Sequence, residues 1–132
     1  KLSYMLIFIY IILYNFIGVF TMDISIEELE NNTSVIKLVG DIDVYSSTDV
    51  KDAINSQIDF GAKRIIIDME DVYYIDSSGI GVFVFEMGHF KKVNGKIGIV
   101  KITENVRKVF ELTKIISFFP IFNTVSEALE KL

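Results

Sequence analysis

From residue 24 onward the chain switches repeatedly between two hydrophobic rhythms. Ile24 and Ile26, then Val35-Ile36-Lys37-Leu38-Val39, carry the signature of strands, and Asn31-Asn32 between them is a turn-forming pair. Gly40 closes the second strand. Val50, Ala53, Ile54 and Ile58 recur at helical spacing, with Ser46-Ser47-Thr48-Asp49 ahead of them as a capping-box variant and Gly61 as a stop. Arg64-Ile65-Ile66-Ile67-Asp68-Met69 is a short, nearly unbroken apolar run, which predicts a strand covered on both faces. A second helix opens in Asp76-Ser77-Ser78-Gly79 and runs to about Val93, where Asn94-Gly95 terminates it.

Lys96 to Ile102 reads as another buried strand. Thr103 caps a third helix bearing Val106, Val109, Phe110 and Lys114 on successive turns. Phe118-Phe119-Pro120-Ile121-Phe122 contains the only proline and is restricted to a short or edge strand. Thr124-Val125-Ser126-Glu127 is a capping box for a last helix carrying Ala128, Leu129 and Leu132. The order β-β-α-β-α-β-α-β-α predicts an α/β fold: a single domain over 22–132, with a mixed, mostly parallel sheet, four helices and right-handed crossovers.

Residues 1–21 stand apart. They hold one charge, Lys1, and are just long enough to cross a hydrocarbon core of about 30 Å. No small-residue cleavage site precedes Met22, which argues against a secretory signal. Two readings stay open: a membrane anchor, or a spurious upstream extension from a reading frame opened too early. The second draws on the leader's Ile, Phe, Tyr, Leu, Asn and Lys, the residues that translated AT-rich DNA yields, and on the ordinary sequence that Met22 begins.

Composition narrows the chemistry. The 132 residues carry a net charge of -5 with scattered basic side chains, so no surface tracks a phosphate backbone and nucleic acid is not an expected partner. With no cysteine and one histidine, His89, disulfides, thiolate catalysis and a Cys/His metal cage are out of reach. An acidic, cysteine-free chain fits a cytoplasmic protein that meets other proteins.

The segment Ile75-Asp76-Ser77-Ser78-Gly79 raises a question of catalysis. A serine nucleophile needs a base, and the hydrolase elbow G-x-S-x-G lacks its first glycine here. His89 falls on the same predicted helix, roughly 18 Å along its axis from Ser77. Asp76 beside Ser77 has the donors for Mg²⁺, but no G-x-x-x-x-G-K-[ST] loop exists to hold a nucleotide. An enzyme is not expected.

One ordinary role for Ser77 or Ser78 is to cap the helix, with Gly79 easing the turn. One hydroxyl would suffice for that, and two are present. The helix behind them is apolar nearly all round through Ile80, Val82, Phe83, Val84, Phe85, Met87 and Phe90, so it is wholly buried or offers one face to a partner. A phosphate on a serine at a helix start is favoured by the free N–H groups there and adds about -1.5 to -2 charges. Asp76, with Asp43 from the neighbouring strand end, would add to the repulsion of an acidic partner.

Met69-Glu70-Asp71-Val72-Tyr73-Tyr74-Ile75-Asp76-Ser77-Ser78-Gly79-Ile80-Gly81 closely resembles the phosphorylation-site segment of STAS-domain anti-sigma factor antagonists, and Val39-Gly40-Asp41-Ile42-Asp43 resembles that family's strand end with paired acids. The resemblance spans residues 22–132. It implies that Ser77 is the phosphorylated residue, that Asp76 and Asp43 are its acidic neighbours, and that Ser78, Gly79 and Ile80 belong to the same partner-binding segment. It further implies a cytoplasmic partner switch serving a bacterial sigma factor in stress response or sporulation. The bare form binds an anti-sigma factor that is also a serine kinase, phosphorylation breaks the complex, and a metal-dependent serine phosphatase restores it. ATP and Mg²⁺ then belong to the kinase, and this chain needs no cofactor.

The leader departs from that pattern, and a membrane partner follows only if residues 1–21 are real. A rival is a membrane-associated STAS module of a transporter or lipid-trafficking complex, with Ser77 merely structural; a nucleotide-binding STAS domain is a third option. His89 is read as a surface residue, Phe118, Phe119 and Phe122 as core or edge packing, and Lys91, Lys92 and Lys96 as a solvated basic cluster.

Overall fold

The computed structural model describes the backbone at residues 1–20 and 22–132 and the side chains at 1–13 and 22–132. The second half of the apolar leader, and with it the Thr21–Met22 boundary, lies outside the side chains described. Leu2–Phe20 forms a helix, α1, whose side chains are exposed from Leu2 to Leu13. The chain therefore carries five α-helices among its described residues where four were expected from 22–132 alone. Among the described residues no helix is long and apolar enough to cross a membrane.

From Asp23 the order is β1 (Asp23–Leu29), β2 (Thr33–Val39), α2 (Ser47–Asp59), β3 (Arg64–Asp71), α3 (Ser77–Lys91), β4 (Lys96–Val100), α4 (Glu104–Leu112), a 3₁₀ turn (Ile115–Phe118), β5 (Ile121–Phe122) and α5 (Val125–Lys131). The strands lie in one sheet in chain order; β1 is antiparallel to β2, and β2 through β5 are mutually parallel. Asn31 and Asn32 turn the opening hairpin with both residues at positive φ, 59° and 53°, a conformation asparagine tolerates better than most side chains.

Period-2 alternation divides the sheet into two unlike faces. Ile36, Leu38, Ile65, Ile67, Met69, Ile97 and Ile99 point to the face that α2, α3 and α4 cover, and they join Val50, Ile54, Phe83, Phe90, Val106 and Phe110 in the main core. Phe83 lies edge-on to Phe110 and to Phe119, each at 5.9 Å between centroids, a geometry worth about 0.5–1.5 kcal/mol per pair beyond area burial. The other face is only partly covered. There α5 shields Val35, Ile66 and Val100 through Ala128, and Arg64 ties it down by donating to Leu129 O (3.0 Å) and Thr33 Oγ1 (2.9 Å).

The expectation that the β3 run is covered on both faces holds only for its first half. Beyond Ile66 the second face carries charge. Lys37 lies 3.4–3.9 Å from Asp68, Glu70 and Asp71, and Lys101 lies 3.4–3.5 Å from Asp68 and Glu70.

Two expected caps are spent elsewhere. Ser46 stands at the N-cap of α2, but its hydroxyl donates to Asp41 O at 2.6 Å and accepts from Asp43 N at 3.0 Å, fastening the loop before the helix. Thr103 heads α4 while its hydroxyl donates to Val72 O at 2.6 Å. At α5 the expected cap forms, with Thr124 Oγ1 accepting from Glu127 N at 3.0 Å. Two elements end early: β4 stops at Val100 because Lys101 turns to φ 56°, and α4 stops at Leu112, two residues before Lys114 at φ 63°.

Candidate functional site

The two segments singled out by the sequence meet at one corner of the sheet. Beyond the ends of β2 and β3 the chains converge again in a single parallel bridge, Ile42 to Ile75. Ile42 N–H donates to Tyr74 O and Asp76 N–H donates to Ile42 O, both at 3.0 Å. This clasp sets Asp43 beside Asp76. Each isoleucine is buried, so the bridge is locked by packing as well as by hydrogen bonds.

Gly79 rides directly on that clasp. A methyl added to it would stand 2.5 Å from Ile42 Cγ2 and 2.7 Å from Ile75 Cγ1, distances that no real Cβ tolerates. The glycine is required by the close approach of helix to bridge, rather than by any need for an easy turn.

The residue that caps α3 is Asp76, not either serine. Its Oδ1 accepts from Ser78 N (2.9 Å), Gly79 N (3.2 Å) and Ser78 Oγ (2.5 Å). The Ser78 hydroxyl, first among these donors, holds the Asp76 carboxyl below its ordinary value of 3.8; the N–H groups of Gly79, Ser78 and Val44 add to the effect and desolvation opposes it. Ser78 is thereby committed to its neighbour. Ser77 is exposed in the first turn, and among the described residues its hydroxyl has no hydrogen-bond partner. The two serines thus differ in kind: one is structural and the other is free.

Asp43 is organised in parallel fashion. Its Oδ1 accepts from Tyr45 N at 2.9 Å and Ser46 N at 3.1 Å, making an Asx-type turn into α2. Ile80 is half-buried against the core and donates its N–H to Asp76 O at 3.0 Å. The apolar groups that do face solvent around this corner are Val44 (65% exposed), Tyr45 (78%), Tyr73 and Tyr74, and further along α3 Val84 and Phe85 (61%). Val44 and Tyr45 went unread in the sequence. The signal available was two large side chains directly after a strand-end acid pair, where a buried turn would not place them.

Among the described residues no base lies within hydrogen-bond reach of the Ser77 hydroxyl. His89 is exposed near the far end of α3, its Nδ1 3.7 Å from Glu86 Oε2. Among the described residues no group of three or more His, Cys, Asp or Glu side chains could hold a metal ion.

Glu86 escaped the sequence reading. It is wholly buried, accepts from Asn55 Nδ2 at 3.2 Å, and leaves Oε2 without a hydrogen bond.

Residues 23–128 match the family model described as STAS domain, and the chain belongs to that family. It is 30% identical over 93 residues to the anti-sigma-B factor antagonist of Bacillus subtilis strain 168, a match that covers 70% of this chain and 84% of that one. Among solved structures it is similar to the anti-sigma factor antagonist SpoIIAA in its unphosphorylated form, with TM-score 0.71, 27% identity, and coverage of 83% of this chain and 95% of that one. It is likewise similar to the Bacillus cell fate determinant SpoIIAA in the phosphorylated form, with TM-score 0.65, 26% identity, and coverage of 83% and 98%.

Proposed function

We propose that this chain is an anti-sigma factor antagonist, a non-enzymatic cytoplasmic regulator whose bare form binds an anti-sigma factor serine kinase and so releases a sigma factor. Phosphorylation of Ser77 by that kinase switches it off, and a metal-dependent serine phosphatase switches it back. The observation that carries the reading is the free, exposed Ser77 hydroxyl, in the helix turn that the Asp76 cap fixes through Ser78 and Gly79, beside exposed Val44, Tyr45, Tyr73 and Tyr74. A kinase needs an accessible hydroxyl on a fixed backbone, and Ser77 meets both conditions. Added phosphate places about -1.5 to -2 charges at a docking surface that buries apolar area, next to Asp76 and Asp43. Similarity to SpoIIAA, a protein solved in both a phosphorylated and an unphosphorylated form, supports the same reading.

The test is binding to the cognate kinase in the presence of ATP. Ser77→Ala is expected to take up no phosphate and stay bound, whereas Ser77→Asp is expected to bind weakly from the outset. Equal binding by both variants overturns the switch.

The membrane-associated reading rests on α1 and its exposed apolar side chains from Leu2 to Leu13. Intact mass of the natural protein decides it: a chain that starts at Met22 removes that reading.

A further inference from the structure

We propose that a cleft at the β4–β5 edge, at the opposite end of the sheet from Ser77, binds a small amphipathic carboxylate of the medium-chain acyl type. The cleft measures about 350 Å³, within the range of about 300–1,000 Å³ that small-molecule sites occupy. Its walls are Met87 from α3, Phe118 from the 3₁₀ turn and Leu132 at the end of α5, and Lys91, Lys96 and Lys131 stand around them. Lys91 is the last residue of α3 and Ser77 the first, so the two sites lie roughly 21 Å apart along the helix.

Three observations converge on the ligand. Apolar side chains here are not satisfied by the fold, since Phe118 is 63% exposed over the cleft. Positive charge is also unspent. Lys131 pairs with Glu127 at 3.6 Å, but among the described residues Lys91 and Lys96 have no carboxylate within ion-pair distance, in a chain whose net charge is -5.

The third observation is an open backbone donor. β5 is only two residues long and pairs with β4 at Ile99 and Val100 alone. Ile99 N–H and Lys101 N–H donate across that edge to Pro120 O (2.9 Å) and Phe122 O (3.1 Å). By the same alternation Ile97 N–H faces this edge upstream of where β5 begins, and Ile97 lines the cleft.

Inorganic phosphate would use the lysines and leave the apolar walls bare, and a hydrocarbon would do the reverse. A strand-adding peptide needs a row of edge donors, whereas β4 offers Ile97 there and turns Lys96 N–H the other way, to Lys63 O at 3.0 Å. A carboxylate head on Lys91, Lys96 and Ile97 N–H, with its chain over Phe118 and Met87, uses all three features at once.

The experiment titrates the full chain with decanoate and, separately, with decanol, following backbone amides by NMR. Decanoate is expected to shift Lys91, Ile97 and Leu132 and to bind about tenfold tighter than decanol, the worth of one charge-assisted contact. Affinity should rise about fourfold per methylene from hexanoate to decanoate. The variant Lys91→Gln/Lys96→Gln alters only exposed side chains, so it keeps the fold and leaves α1 untouched; it should reduce decanoate to the level of decanol. Equal binding of the two probes overturns the proposal, as do shifts confined to residues 1–13, an unaffected double variant, or a Glu/Leu-alternating peptide that occupies the same amides more tightly than decanoate.

Discussion

The two ends of α3 are secured by different physics. At the N-terminal end the fastening is polar and local: Asp76 Oδ1 gathers three donors, and the Ile42–Ile75 bridge holds the strand ends beneath it. At the other end the fastening is apolar and dense. Phe90 is completely buried, and a Cβ on Gly95 would stand 2.2 Å from its ring, so the chain after the helix is folded tightly onto that aromatic face. The large buried side chains of the helix, Phe83 and Phe90, both lie beyond its first turn, away from Ser77. A change at the exposed Ser77 end disturbs little of that packing, as the proposed reversible mark requires.

Substitutions along the helix should reproduce that gradient. The largest effect is expected at the packed end, where Phe90→Ala should cost about 3–5 kcal/mol in urea unfolding; a loss below about 1 kcal/mol would remove the contrast between the ends. Gly79→Ala comes next, at about 1–3 kcal/mol, because its methyl meets Ile42 and Ile75 and the bridge must shift to admit it.

Asp76→Ala should cost about 0.5–2 kcal/mol, the usual worth of an N-cap, and its effect should depend on pH. The Asp76 carboxyl titrates below 3.8 in the folded chain, so its stabilising contribution is complete above the unfolded value and disappears as pH falls through the folded one. Unfolding curves of wild type and variant should therefore separate at pH 7 and draw together as pH falls below the ordinary carboxyl value of 3.8. Ser77→Ala should be the smallest, within about 0.5 kcal/mol of wild type by the same measurement, even though it removes the proposed phosphate acceptor. A clear loss at Ser77 would mean that its hydroxyl is structural after all.

Much of this architecture could be read from spacing. The strand and helix rhythm from Ile24 to Leu132 yields the observed order, and the proline at 120 correctly limits β5 to an edge strand. What spacing cannot show is which partner a hydroxyl turns toward when the fold offers more than one. Ser46 and Thr103 sit at helix starts as expected, yet their hydroxyls turn to donate to the carbonyls of Asp41 and Val72 and accept from no helix N–H, because the fold brings those carbonyls close. The same limit applies at the candidate site. The motif marks Asp76, Ser77 and Ser78 together, but which of them caps and which stays free is decided by the extended backbone of Asp76, with φ -105° and ψ -174°. Glu86 was hidden for another reason: its burial comes from α2 lying across α3, and one acid among apolar neighbours does not announce the helix that covers it.

The half-covered face of the sheet has a consequence for self-association. An open sheet with a dry flank tends to find a second one and close into a sandwich. On this molecule the uncovered flank is an interlocked lattice of two ammonium and three carboxylate groups spread over β2, β3 and the residue that follows β4. Such a lattice stays wet and repels stacking, so copies of the chain can crowd together without fusing along their broadest surface.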